Sequence, residues 1–581
     1  MSLLDGLQRS GAVRPIDLAL AHALQRIDGT VAEPVLVAAA LASYAVAQGH
    51  AAFDLDGAPS LVEAPLDWPD AADWRDSIAA CSWIARPERD AASDEAAPLV
   101  FEDDRLYLRR YREYERRLAA ALARLCANEL PAVHADVDAL HARLFPQRDA
   151  GAAQARAARR ALDTPLMLVT GGPGTGKTTT IARVLVLLAA QARALGQAAP
   201  RIALAAPTGR AADRMAGSVR RIAQQLRDGG IDGALCDALP AEASTLHRLL
   251  GLVPGRPNAR FDARHPLKLD VLVVDEASMV DLPLMCKLVE ALPVGARLLL
   301  LGDRDQLPSV EAGDVLAALA DASDATPSPA APLAGRRVHL DRGYRQTDAL
   351  VLEPVADAVR RGDAAAALDG LRAGSGGVQF HEGALDPLAP ATRERLLAPW
   401  RRLIGCSEPR EALDLVNRSR LLTALRDGPQ GAVQLNARIE AALAGAQREP
   451  YFHGRLLMIT ENSARHGLFN GDVGICLRDV DGAPIAWFDG SDGMRAFHPG
   501  ALPAHTGAFA MTVHKAQGSE FDCVWLQLPA VDARVLSREL LYTGLTRARS
   551  ELHVLGPADA IAWAVPRHAR RVSGLAHRLG A

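Results

Sequence analysis

Lysine is almost missing from this chain. Of 65 basic side chains only Lys177, Lys268, Lys287 and Lys515 are lysines, which leaves 61 arginines. A lysine is therefore an unusual choice here, and its position is informative. Aromatic residues make up only 4%, so an extended platform for stacking bases is not expected. The seven cysteines, at 81, 126, 236, 286, 406, 476 and 523, form no C-x-x-C pair. That spacing favours reduced structural thiols over a zinc site. No run of 18 apolar residues is free of charge, so no membrane span is expected. Met1-Ser-Leu-Leu-Asp5 lacks the basic stretch and apolar core of a signal peptide. These absences predict a cytoplasmic protein. Positive charge is not in excess either: the net charge is −4. A uniformly basic nucleic-acid coat is excluded, and any such contact belongs to a local groove.

What is present is ordinary globular composition, with 49% hydrophobic and 23% charged residues over 581 positions. That length predicts several domains, each large enough to bury a core. Residues 1–100 hold 15 acids against 6 arginines, and phosphate would repel such a segment. Residues 1–149 read as a helical domain suited to meeting protein, with helical periodicity over 101–127 from Leu108, Tyr111, Leu118, Leu122 and Leu125. From 166 onward short apolar runs alternate with helical stretches: Leu166–Val169, Ile202–Ala205, Val271–Val274 and Leu298–Leu301. This pattern predicts parallel strands in an α/β fold. Residues 321–336 and, more weakly, 370–386 read as loops.

Gly171-Gly172-Pro173-Gly174-Thr175-Gly176-Lys177-Thr178 follows an apolar run and precedes a helical stretch that begins with Thr179. Glycines let backbone N–H groups close around phosphates, and the helix N-terminus adds partial positive charge. Lys177 is expected on the β- and γ-phosphates and Thr178 on Mg²⁺. Chance would produce this pattern on the order of 0.002 times in such a chain, so an ATP site is predicted. Val271-Leu-Val-Val-Asp-Glu ends a buried run in two acids. Asp275 is expected to hold Mg²⁺ with Thr178, and Glu276 to activate the attacking water. Gln306, in Leu301-Gly-Asp-Arg-Asp-Gln-Leu-Pro308, is placed to report the γ-phosphate.

The order of GGPGTGKTT, APTGRAA (206–212), TLHRLLG (245–251), VVDEASM (273–279), GDRDQLPSV (302–310), GYRQ (343–346), VHKAQGSEFD (513–522) and LYTGLTRAR (541–549) resembles superfamily 1 helicases. Within them it resembles the RecD-type alpha chains of exodeoxyribonuclease V, over about 100–560 and weakly over 1–100. The resemblance implies two RecA-like motor domains, at 150–336 and at 337–440 with 509–581, and a small β-barrel-like insertion at 441–508. It implies that Gln154 reads adenine, that Arg345 and Arg547 reach the γ-phosphate from the second motor domain, and that Gly518 and Glu520 touch the nucleotide. It also implies that Thr208, Arg210, Thr245, His247, Thr512, His514 and Lys515 line a single-strand groove. The implied activity is ATP-driven 5′ to 3′ unwinding of duplex DNA ends for recombinational repair, in a heterotrimer with beta and gamma chains. Any nuclease would then belong to the assembly, since no nuclease metal cluster is evident in this chain. A free-standing helicase and a catalytically silent ATP-binding subunit stay open as alternatives.

Overall fold

The computed structural model describes all residues except 1, 63, 88–96, 147–151, 254, 257, 329–330, 342–349, 446–448, 464, 491–492, 570 and 581. Two parallel sheets dominate. The first has six strands in the order Arg337–Leu340, Leu166–Gly171, Arg297–Gly302, Val271–Val274, Ile202–Ala206 and Ser244–Thr245. The middle strands are buried along their length, because helices cover both faces. The second has five: Val378–Glu382, Ala548–Gly556, Phe521–Gln527, Ser419–Thr423 and Ala510–Thr512. Each sheet anchors its own core.

Several expectations need correction. Arg337–Leu340 pairs in parallel with Leu168–Gly171, so the chain leaves the first sheet after Leu340 and not before 337. Residues 378–382 are a strand of the second sheet, not a loop, because Val378 to Glu382 pair with Leu552 to Gly556. The helix expected over 101–127 is Arg109–Cys126. The residues before it form a hairpin, Leu99–Glu102 against Arg105–Leu108. Asp103 and Asp104 turn it with φ of 49° and 57°, the two left-handed residues that a tight hairpin requires. The N-terminal region therefore combines helices with a four-stranded sheet. Its core runs from Leu4 to Leu106 around the helix Glu33–Ala47, which has ten buried residues on all its faces. The insertion is an antiparallel sheet in the order Gly493–Phe497, Pro484–Gly490, Val473–Arg478, Leu456–Ile459, His505–Gly507. Among the described residues no pairing joins its two edge strands, so it is open. No helix among the described residues is long and apolar enough to cross a membrane.

The C-terminal segment returns from the second sheet to the first. Leu575 and Leu579 are buried in the first sheet's core. Ser573 Oγ and Gly574 N donate to Glu115 at 2.6 and 3.0 Å, and Ala51 N donates to Val572 O at 2.8 Å. Arg578 pairs with Glu102. One segment thus ties the N-terminal region, the helix Arg109–Cys126 and both motor lobes. A Cβ on Gly574 would stand 2.5 Å from the Tyr107 hydroxyl and 3.1 Å from Glu115 Oε2. Both neighbours are buried and bonded to each other, so neither can give way freely. Gly574→Ala is expected to lower stability by about 1–3 kcal/mol, read as a fall in the midpoint of thermal unfolding. An unchanged midpoint would show that the strap is not held there.

Candidate nucleotide cleft and strand groove

The strand Leu166–Gly171 ends in the glycine-rich loop, and the helix Lys177–Ala194 begins at its lysine. Gly174 and Gly176 take φ of 80° and 82°, a region that side-chain-bearing residues avoid. Gly172 lies under the second lobe: a Cβ there would stand 3.0 Å from the Tyr542 hydroxyl. Lys177 Nζ donates to the carbonyls of Gly171 and Gly172 at 2.6 and 2.9 Å. Thr175 Oγ1 closes the loop on Gly172 O at 2.9 Å. Gln154 Nε2 donates to Thr175 O at 3.1 Å. The amide expected on adenine is thus engaged with the phosphate loop in this structure.

The loop faces a pocket of about 130 Å³ lined also by Asp275, Glu276, Gln306, Arg214, Glu520 and Arg547. A second hollow of about 100 Å³ adjoins it, walled by Leu340 and Asp341 on one side and Arg360, Tyr542 and Arg549 on the other. The crevice lies between the two lobes, with the phosphate loop as its floor. Glu276 has φ of 52°, strained for a glutamate, and such strain clusters at functional sites. Its Oε1 accepts from Arg214 Nη2 at 2.7 Å. Burial works against its charge, but Arg214, Arg547 and Lys177 together hold its carboxyl below the ordinary value. Asp275 goes the other way: burial and the neighbouring Glu276 push its carboxyl up. Two adjacent acids with opposed shifts are suited to different roles. Arg547 is buried; its Nε and Nη1 donate to Thr543 O and Ser519 O at 3.0 and 3.1 Å. Its Nη2 is buried with no partner among the described residues. Arg345, the other expected arginine, lies outside the described residues.

Gln306 Nε2 donates to Asp303 Oδ2 at 3.1 Å, and the Tyr542 hydroxyl donates to the same oxygen at 3.1 Å. Leu307 N donates to Thr543 Oγ1 at 2.9 Å, and Gln517 Nε2 donates to Leu307 O at 2.9 Å. The turn 303–307 of the first lobe is therefore gripped by the second. Arg214, Asp303, Gln517, Tyr542 and Thr543 were not singled out from sequence. Asp303, Gln517, Tyr542 and Thr543 lie inside the quoted motifs and Arg214 two residues beyond one, where helical spacing from Arg210 was the available signal.

The groove residues fall on both lobes. Thr208 caps the helix Gly209–Asp228, accepting from Ala211 N at 3.2 Å. Thr245 caps a short helix in the same way through Arg248 N at 3.3 Å. Thr512 Oγ1 accepts from Lys515 N at 3.4 Å. Each hydroxyl accepts a backbone bond and keeps its own proton to donate. Arg210 Nη1 donates to Ser519 Oγ across the lobes at 3.1 Å, and Gly518, with φ of 72°, lies against Thr208 and Ala211. His247 is exposed, not a core histidine. Lys515 is exposed as well, so it is not a buried lysine seeking a carboxylate. Burial of its stem and the nearby Arg426 lower its pKa. Two neighbouring cations without a carboxylate between them suit a phosphate. Away from the cleft, Cys523, Glu551 and His553 come within 4.8 Å of one another. Glu551 is already paired with Arg395 at 2.5 Å, which balances its charge.

Three family profiles match. Residues 9–107 match the N-terminal domain of RecBCD enzyme subunit RecD, residues 154–312 an AAA domain, and residues 507–555 a UvrD-like helicase C-terminal domain. The first match corrects the expectation that resemblance is weak before residue 100. The RecBCD enzyme subunit RecD of Mycobacterium tuberculosis is 39% identical over 593 residues, covering 99% of this chain and 96% of the relative. That of Haemophilus influenzae is 32% identical, covering 87% and 84%. The ATP-dependent RecD2 DNA helicase of Deinococcus radiodurans is 32% identical, covering 81% of this chain and 58% of its own length.

Proposed function

This chain belongs to the RecD family, and from that premise we propose that it is the ATP-driven 5′ to 3′ DNA helicase subunit of a RecBCD complex. It would unwind double-strand ends for recombinational repair beside RecB and RecC in the cytoplasm. The observation that carries this reading is the convergence of Lys177, Asp275, Glu276 and Arg547 on one crevice walled by both lobes.

ATP binds with its phosphates over the loop 171–179, and Lys177 exchanges the Gly171 and Gly172 carbonyls for the β- and γ-phosphates. Gln154, beside the loop, faces the base, and Glu520 and Gly518 close the nucleotide from the second lobe. The Thr178 hydroxyl and the Asp275 carboxylate are hard oxygen donors on one wall, which fits Mg²⁺. The ion would neutralise phosphate charge there. Glu276, kept ionised, takes a proton from the attacking water once Arg214 yields it. Arg547 offers its Nη2, which has no partner among the described residues, to the charge developing on the γ-phosphate, with Arg345 as the second arginine. Gln306 senses that phosphate and passes its loss through Asp303 to Tyr542. Thr208, Arg210, Thr245 and His247 of the first lobe and Thr512, His514 and Lys515 of the second hold the strand by its backbone. Changing the cleft then changes the spacing of two grips, which is stepping.

The N-terminal domain serves the gamma subunit. On its helix Pro15–Ile27, Ile16 and Ile27 are each 67% exposed, while Leu20 between them packs against the domain's own core. Such outward apolar side chains suit a protein partner.

A strand-displacement assay on tailed duplexes tests the whole reading, with the chain alone and with RecB and RecC whose own motor is silenced. Unwinding only from 5′ tails, dependent on ATP, is expected. Unwinding from 3′ tails alone, or none in the assembled complex, would refute it.

A further inference from the structure

A cavity of about 720 Å³ opens where the N-terminal region, both lobes and the C-terminal segment meet. That volume is within the roughly 300–1,000 Å³ of ligand sites. Its lining mixes two kinds of side chain. Val310 and Val535 are apolar and 72% and 45% exposed. Arg534 and Arg571 are cationic. Neither arginine forms an ion pair among the described residues. Arg534 Nη1 donates only to the Tyr44 hydroxyl, at 3.3 Å. Arg571 makes no hydrogen bond among the described residues, and its Nε is buried without a partner. Its guanidinium lies flat against Gly49, where any Cβ would collide with it. Gly49 also takes φ of 86°, so the backbone there is shaped to admit the cation.

The other charged groups do not cancel these two. Arg567 is paired with Asp532 at 2.8 Å and His568 with Glu539 at 2.8 Å. Asp54 lines the cavity but accepts from Asp56 N at 3.2 Å. Asp314 and Glu539 act on Arg571 only from beyond ion-pair reach. His50 accepts from Val572 N at 2.9 Å through Nδ1. Burial, Arg571 and Arg534 push its pKa down to about 4, so at neutral pH it is an uncharged acceptor. Two guanidinium groups with no ion pair among the described residues, in one cavity with exposed apolar side chains, offer what the two parts of a nucleotide need: cations for phosphate and apolar surface for the base. The cavity is also walled by Pro308, Ser309 and His514, and His514 is one of the proposed groove residues.

We propose that this cavity is a second nucleic-acid subsite, in which Arg534 and Arg571 hold consecutive phosphates of the single strand that continues from the groove beneath the N-terminal domain. The proposal rests on the groove reading above. It gives the acidic N-terminal domain a role as a roof over the strand, with the positive charge supplied by the motor lobe and the C-terminal segment.

The test uses the full chain with p-benzoylphenylalanine at Val535 and a labelled oligonucleotide. Light-induced attachment to the strand is expected, suppressed by unlabelled oligonucleotide and not by inorganic phosphate or ATP. In parallel, Arg534→Ala/Arg571→Ala should lower the slope of log affinity against log salt by about 1.4, at roughly 0.7 per phosphate contact. Arg534→Lys/Arg571→Lys should restore it, which loss of fold would not allow. Normal strand binding with an unchanged slope and no attachment overturns the cavity proposal alone. Suppression by inorganic phosphate or ATP, and not by oligonucleotide, also overturns it in favour of a free-anion site. A chain that binds no single strand at all sinks both the cavity and the groove.

Discussion

Lys177→Gln is expected to abolish ATP turnover while leaving the fold intact. The lysine opens the helix after the glycine-rich loop, and its ammonium spends its bonds on two loop carbonyls, Gly171 O and Gly172 O. These are local contacts with no partner in a distant element, so their loss costs little packing. A triphosphate changes the balance, because an ammonium gains more from phosphate oxygens than from neutral carbonyls. Removing one preorganised donor from such a site typically costs about 10²–10³ in kcat. Here the loss should be larger, since Lys177 is also among the charges that keep Glu276 ionised. The measurement is steady-state phosphate release by the isolated chain with single-stranded DNA, beside thermal unfolding of both proteins. Hydrolysis within about threefold of the parent would remove Lys177 from the site. A collapsed melting curve would instead make it structural.

The cleft was legible from sequence wherever chemistry is local. The phosphate loop, Asp275 with Glu276, and the four buried strands around them are short contiguous stretches whose residue types state their surroundings. What escaped was built by distance. The Gln306–Asp303–Tyr542 relay joins residues 239 apart, and Leu307 to Thr543 spans 236. No spacing rule reaches so far. Arg214 was hidden in another way: among 61 arginines one more on an amphipathic helix carries no signal until Glu276 is found 2.7 Å away. The N-terminal sheet was missed because strands such as Phe53–Asp54 and Ile84–Ala85 have two residues each, too few to show a period of two. Arg337–Leu340 fell to the wrong lobe because a four-residue strand does not say which sheet it joins. The scarcity of lysine worked in the other direction. It marked Lys177 and Lys515 before any motif was considered, and the structure puts the first in one pocket with Asp275 and Glu276.

Arg547→Ala is expected to reduce kcat by about 10³–10⁵, the usual cost of withdrawing an arginine that meets a transferring phosphoryl group. The residue comes from the second lobe yet lines the pocket of the first, so its reach depends on closure. Two of its nitrogens serve carbonyls of its own lobe, and the third is buried with no partner among the described residues. A buried N–H costs about 1–3 kcal/mol when unsatisfied. An arriving anion would recover that cost, and the side chain would then act as a clamp on phosphate. Alanine would also strand the Thr543 and Ser519 carbonyls, so lost stability must be separated from lost catalysis. Arg547→Lys does this. It keeps the charge and much of the packing but replaces a planar fork, whose separate nitrogens can serve Thr543 O, Ser519 O and a phosphate at once, with a single ammonium that cannot span all three in that geometry. Both variants should bind a fluorescent ATP analogue with near-parent affinity, since ground-state binding rests on Lys177 and the loop amides. Both should hydrolyse it far more slowly, lysine less severely than alanine. If alanine turns over within about tenfold of the parent, Arg547 is a strut of its own lobe, and the charge that completes the transition state must come from elsewhere in the crevice.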